Sequence, residues 1–190
     1  YGLVPTYHGT LIVPMTFNTS FGTTCTNAEI WGGDAYSYLE SNVENLDKAK
    51  IDLSDETDFE AFLTDSGAYT IIDKDSPYYR WNITFTQEEM TEAIETVLEN
   101  RKSLMADAIL VEDEDGKFVS SEVPELGTVT AIEVTERTVS GVVSRLVIHG
   151  SKHTISISGQ SNIRAILNPV KQEIVRQDGS SVTGWTSLPS

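Results

Sequence analysis

The chain has 190 residues, enough for one domain or two small ones with a sizeable core. Its 39% hydrophobic and 22% charged residues suit a folded chain, but 13 Lys plus Arg face 29 Asp plus Glu, a formal charge of −16. Such a surface repels phosphate backbones and anionic lipid headgroups, which argues against nucleic acid and membrane surfaces and leaves neutral or zwitterionic ligands or basic proteins.

The opening reads as β. Two extended runs, 3–7 and 11–17, meet at His8-Gly9, and Pro14 marks an edge or a bulge in the second. A Gly/Thr/Asn loop over 19–27 leads to Ile30-Trp31-Gly32-Gly33 and the aromatic segment Tyr36-Ser37-Tyr38-Leu39. The middle is more helical. A helix over 54–63 has Ser54 and Asp55 as caps and Phe59, Phe62 and Leu63 at helical spacing. A strand over 78–85 places Trp81, Ile83 and Phe85 on one face, and Thr86-Gln87-Glu88-Glu89 is a capping box. Met90, Ala93, Ile94, Val97 and Leu98 then form one apolar stripe, with the acidic residues on the solvated face opposite.

The last third returns to β. Runs 106–111 and 117–121 flank Asp115-Gly116, and runs 129–138 and 142–148 flank Ser140-Gly141. The second of these, apolar nearly throughout, is expected to be a central strand. A third strand over 154–158 alternates Ile155 and Ile157 with Thr154, Ser156 and Ser158, predicting one wet face. A short helix over 161–167 stops at Asn168-Pro169, and the remainder, with Asp178-Gly179-Ser180-Ser181, reads as loop. The expected fold class is α+β: a sheet dominated by antiparallel hairpins, with a few packed helices in one or two lobes.

The chemistry these residues offer is sparse. Cys25 is the single cysteine, so no intramolecular disulfide or cysteine-rich zinc site is available, and it reads as a buried small residue rather than a catalytic thiol. His149 and His153 flank Gly150-Ser151-Lys152 and could face each other across a hairpin, but a third metal ligand is not evident. His8 reads as a turn residue. Asp113-Glu114-Asp115-Gly116 lacks the first Asp and the closing Glu of a calcium loop, so it reads as a β-turn. No Gly-x-Ser-x-Gly elbow occurs. No metal or other cofactor is expected. Glycoside cleavage needs a carboxyl held protonated near neutral pH, and composition cannot single one out of 29.

A resemblance extends this reading. Gly2-Leu3-Val4 through Tyr7-His8-Gly9-Thr10, then Phe17-Asn18-Thr19-Ser20-Phe21-Gly22-Thr23-Thr24 and Asn27-Ala28-Glu29-Ile30-Trp31-Gly32-Gly33, followed by Tyr36-Ser37-Tyr38-Leu39, form one set of motifs. Further on come Trp81-Asn82-Ile83-Thr84-Phe85-Thr86, the run from Glu133 to Val143, Ile148-His149-Gly150, Ile157-Ser158-Gly159 and Ile163-Arg164. Together they resemble the stage II sporulation protein D/LytB family, with Phe21 where that family usually has glycine and Val142 where it usually has arginine.

The resemblance implies a lytic transglycosylase of peptidoglycan, in which one glutamic acid protonates the glycosidic oxygen and then takes a proton from the muramyl C6 hydroxyl. The family's segment carrying that glutamate finds no match here. The chain, which opens at Tyr1-Gly2-Leu3, therefore reads as the middle portion of such a protein and is expected to be inactive alone. In those terms residues 1–45 are a piece of the core lobe, 46–77 a linker or helical insertion, 78–170 a smaller α+β lobe and 171–190 a return segment. Ser20, Gly22, Thr24 and Trp31 are the implied substrate-binding residues; the alternative for them is a turn plus a core tryptophan. The implied partners are peptidoglycan glycan strands and other cell-wall or sporulation proteins, in an extracytoplasmic location. No apolar run approaches the length of a membrane-spanning helix. The competing function is a non-enzymatic wall-binding or protein-interaction module.

Overall fold

A computed structural model describes residues 2–45, 49–64, 69–101, 103–169, 171–185 and 188; parts of the expected insertion (46–48, 65–68) and return segment (186, 187, 189, 190) lie outside the described residues. The first hairpin joins β1 (Thr6–Tyr7) to β2 (Thr10–Leu11) through His8 and Gly9, whose φ angles are 49° and 80°. Both positive values match a tight primed turn. Its ladder has only the pairs Thr6↔Leu11 and Tyr7↔Thr10, shorter than the runs 3–7 and 11–17 promise. Pro5 and Pro14 donate no N–H to lengthen it, and its residues are exposed, so no packing extends it.

Helix α1 (Asn27–Trp31) follows, set by a second capping box in which Thr26 and Glu29 bond reciprocally. Helix α2 (Glu56–Thr64) is capped by Asp55, whose carboxylate accepts from the amides of Thr57 (2.9 Å) and Asp58 (3.3 Å). Strand β3 has shrunk to Trp81–Asn82, although burial alternates out to Phe85 as its sequence predicts. Helix α3 (Gln87–Arg101) begins at the expected box: Glu89 accepts from the Thr86 amide at 2.8 Å, and the Glu89 amide donates to the Thr86 hydroxyl at 3.2 Å. Strands β4 (Ile109–Glu112) and β5 (Phe118–Val119) turn at Asp113, whose carboxylate accepts from the amides of Asp115 and Lys117 as in a plain β-turn. Strands β6 (Val129–Arg137), β7 (Val143–Gly150) and β8 (Thr154–Ser158) form the meander, and helix α4 (Gln160–Ile166) closes it.

The segment read as terminal loop is instead a hairpin, β9 (Ile174–Arg176) and β10 (Ser181–Val182), turning at Asp178-Gly179. Strand β9 also pairs with β3, a partner more than 90 residues earlier, so the strand is held by a contact its own sequence does not disclose.

Every named ladder is antiparallel, and the largest sheet has the order β5-β4-β8-β7-β6, which gives an α+β fold. Strand β7 is internal, as its apolar run predicts. Helices α3 and α4 supply Ile94, Val97, Leu98, Ile163 and Ile166 to a core that includes Ile109, Ile148, Ile155 and Ile157 from the sheet. Full burial of each such side chain contributes about 1.5–3 kcal/mol. The wet face expected of β8 is partly dry, since Ser156 is 1% exposed. It lies between Leu110 of β4 and Val147 of β7 in register, and the Arg145 guanidinium donates to its hydroxyl at 3.4 Å.

A second core gathers Val43, Leu53, Phe62, Ile71 and Tyr79, with Phe21 and Phe59 packed against it. Phe21 meets both Phe59 and Phe62 edge-on and so helps to fill this core. The β6–β7 turn reaches the same core. The Leu53 amide donates to Val139 O at 2.8 Å, and Arg137 lies 3.7 Å from the Phe59 ring centre while bonding the Glu56 carboxylate through Nε and Nη2. Gly141 has φ +89°, and a Cβ there would stand 2.8 Å from the Phe59 ring, so the turn requires glycine for both backbone and space.

Candidate functional site

The densest polar constellation surrounds Glu29 on α1. Its Oε2 accepts from the Thr26 amide (2.7 Å), the Thr26 hydroxyl (3.0 Å) and the Ser41 hydroxyl (2.5 Å). Its Oε1 accepts from the amide (3.1 Å) and hydroxyl (2.7 Å) of Ser140, 111 residues away in the β6–β7 turn. Thr23 donates to Ser140 O beside it. Burial pushes the Glu29 carboxyl up, but the hydroxyls of Ser41, Ser140 and Thr138 and the Thr26 amide outweigh it and hold the pKa at about 2. Glu29 is therefore ionised throughout the neutral range and cannot act as a proton donor there.

Cys25 lies in the same constellation. Burial pushes its thiol up to about 11, the Glu29 charge adds to this, and a Ser140 hydrogen bond opposes it. The thiol stays protonated, and the residue is half-buried rather than the buried small residue expected.

The four implied substrate-binding residues separate into two kinds. Ser20 donates its hydroxyl to Glu44 and its amide to Asp73 (2.7 Å), and its oxygen accepts from the Gly22 amide. Gly22 backs onto the second core, where a Cβ would stand 2.9 Å from Phe62 Cζ. Thr24 is tied to the 40–42 segment through both its amide and hydroxyl. These three brace the loop against residues 40–45 and 73. Trp31 differs: it ends α1, is 63% exposed and does not join either core.

The Ser20 contacts uncover a pair that sequence reading missed. Glu44 and Asp73 share Ser20, and burial, followed by the Asp73 charge, raises the Glu44 pKa against the Ser20 bond. Their 29-residue separation carries no signal; only the fold brings them together. His149 and His153 do not converge. His149 pairs with Glu133 at 3.6 Å, while His153 Nδ1 bonds Glu125 O at 2.9 Å. Among the described residues no group of three or more His, Cys, Asp or Glu side chains is placed to hold a metal ion.

Next to α1, the segment 34–39 is pinned by Asn27, whose Nδ2 donates to Asp34 O (2.9 Å) and whose Oδ1 accepts from the Tyr36 amide (2.7 Å). Tyr36 and Tyr38 stack at 5.4 Å and 5°, and Tyr7 of the first hairpin leans on Tyr38 at 5.8 Å.

No helix among the described residues is long and apolar enough to cross a membrane. Comparison with curated proteins and with solved structures gives no match. Residues 25–115, from Cys25 through α1, α2, β3, α3 and β4 to the Asp113 turn, match a family model described as a domain of unknown function (DUF8618).

Proposed function

We propose that this chain is a portion of an extracytoplasmic, peptidoglycan-cleaving cell-wall protein similar to the stage II sporulation protein D/LytB family. It supplies scaffold and part of the glycan-contact surface, not the catalytic acid. The observation that carries this reading is Trp31, a tryptophan at the end of a capped helix, turned to solvent. The Glu29 bonds tie that helix to the β6–β7 turn, so the indole is presented from a braced element. An exposed aromatic side chain offers the apolar face of a sugar ring a large contact area at little entropic cost.

The carboxylate nearest in sequence to Trp31 supports the absence of a catalytic acid. Leaving-group protonation needs a raised pKa, and Glu29 is held at about 2. Glu44 is raised, but its carboxyl already accepts the Ser20 hydroxyl and stands against Asp73.

Cosedimentation of the chain with peptide-stripped glycan strands tests the proposal. Binding that falls at least about fivefold in Trp31→Ala is the expected result, the size of one lost aromatic contact. Absence of binding, or equal binding by the variant, overturns it. The interaction-module reading is favoured by one feature, a groove of about 430 Å³ along α3 lined by Glu88, Glu92, Glu95 and Glu99, which suits a basic partner.

A further inference from the structure

Residues 1–28 contain no Asp, Glu, Lys or Arg, in a chain of net charge −16. Within that stretch Leu11, Val13, Met15 and Phe17 alternate with Ile12, Pro14 and Thr16, and all four are exposed, from 39% at Met15 to 69% at Leu11. The segment 12–17 leaves β2 without a turn or bend, so the pleat carries these four side chains on one face. The main chain alternates as well. The Ile12 amide donates to Pro5 O at 3.3 Å, which directs even-numbered amides toward β1 and odd-numbered ones toward the free edge. Among the described residues no backbone group bonds the main chain of Val13, Met15 or Phe17. Pro14 is even-numbered, so its missing N–H falls on the β1 side, and the outer edge keeps every donor from Leu11 to Phe17. We infer that this edge pairs, antiparallel and two-fold, with the same edge of a second copy of the chain.

Two features select a second copy as the occupant. The first is register. With the two-fold axis at Pro14, Leu11 lies opposite Phe17 of the second copy, and Val13 opposite its Met15. Each odd position then meets an apolar residue whose N–H and C=O face it, as an antiparallel hydrogen-bonded pair requires. Pro14 faces its own counterpart at a non-hydrogen-bonded position, where no donor is needed. The pairing consumes the same edge in both copies, so it closes at two rather than growing into a fibre. The second feature is charge. Two copies at −16 repel one another over most of their surfaces, and along 1–28 they can approach without setting carboxylate against carboxylate. A basic partner, which suits the α3 groove, gains nothing from a stretch that carries no acid. The contact is small for a protein interface, so the dimer is a weak one that forms as concentration rises. It does not depend on the wall reading.

Sedimentation velocity of the 190-residue chain, from about 10 μM to about 1 mM, tests the inference. The expected result is a monomer–dimer equilibrium that strengthens with added salt, because salt screens the repulsion between copies and leaves the uncharged edge untouched. Val13→Glu sets like charges on either side of the axis and is expected to weaken association at least about tenfold. Leu104→Glu adds the same charge at another exposed site and is expected to change association less than about twofold. Val13 and Leu104 lie outside both cores, and unchanged thermal melts verify that the variants fold. Pro14→Cys is expected to give a disulfide-linked dimer under mild oxidation, whereas wild type, with Cys25 alone, is expected to give none. A monomer at every concentration overturns the inference, as does a dimer weakened equally by the two glutamates. A dimer that does not cross-link through Pro14→Cys overturns the two-fold pairing. A chain that stays monomeric while an unrelated apolar peptide binds at 11–17 assigns the edge to another occupant and overturns it as well.

Discussion

Replacing Glu29 with glutamine removes the carboxylate that joins α1 to the β6–β7 turn. Glutamine keeps one accepting oxygen, so about half of the five donors from Thr26, Ser41 and Ser140 lose their acceptor. The Glu29 carboxyl is held at about 2, well below the usual 4.5, and at about 1.4 kcal/mol per pH unit this sets an upper bound of roughly 3 kcal/mol. Glu29 is only half-buried, and solvent screening reduces the expected contribution to about 1–2 kcal/mol. The sign follows from linkage. A carboxyl whose folded pKa is depressed binds its proton later in the folded state, so its stabilisation is complete above about pH 4.5 and is lost as pH falls toward about 2. Urea melts of wild type and Glu29→Gln from pH 7 to pH 2.5 measure this directly. The two stabilities are expected to differ at neutral pH and to converge through that window. A difference that is absent at pH 7, or that persists unchanged to pH 2.5, refutes the reasoning.

Three further outcomes follow from the same geometry. Gly141→Ala puts a methyl against Phe59 at a φ of +89°, and a loss of about 2–4 kcal/mol in a urea melt is expected, with near-neutral stability counting against the close approach. Glu44→Gln retains an acceptor for the Ser20 hydroxyl and removes the repulsion from Asp73, so it is expected to raise the melting temperature at pH 7; because the Glu44 pKa is raised, wild type gains on the variant as pH falls. Cys25 is expected to react with a disulfide reagent at pH 8 many times more slowly in folded than in urea-unfolded protein, in keeping with a thiol held at about 11, and equal rates would contradict that raised value.

What the sequence discloses depends on how far each signal reaches. The Thr86–Glu89 box and the stripe from Met90 to Leu98 are local, and α3 appears where they predict it. Thr26-x-x-Glu29 carries the same signature, but its helix is only five residues long, too short for an apolar stripe. Asp178-Gly179 is a hairpin signal between short runs, and β9 gains its second partner from β3, far away in the chain. Ser156 shows the limit of strand periodicity. Alternation assigns its face, but the coverage of that face by Arg145, Val147 and Leu110 is a property of neighbouring strands. The site follows the same rule. Trp31 stands out as a type in its motif, whereas the Glu29–Ser140 and Glu44–Asp73 meetings join residues that only the fold brings together.

The most direct measurement of the central claim is a mass-spectrometric digest of peptide-stripped glycan strands by the chain, run alongside cosedimentation. The prediction is that wild type carries strands into the pellet, dependent on Trp31, and releases no anhydro-muramyl products at any pH between 5 and 8, because Glu29 is ionised throughout that range and Glu44 is engaged by Ser20. Anhydro products that disappear in Glu44→Gln would contradict the account by making one of this chain's own carboxylates the acid, and strands left entirely in the supernatant would contradict it from the other side.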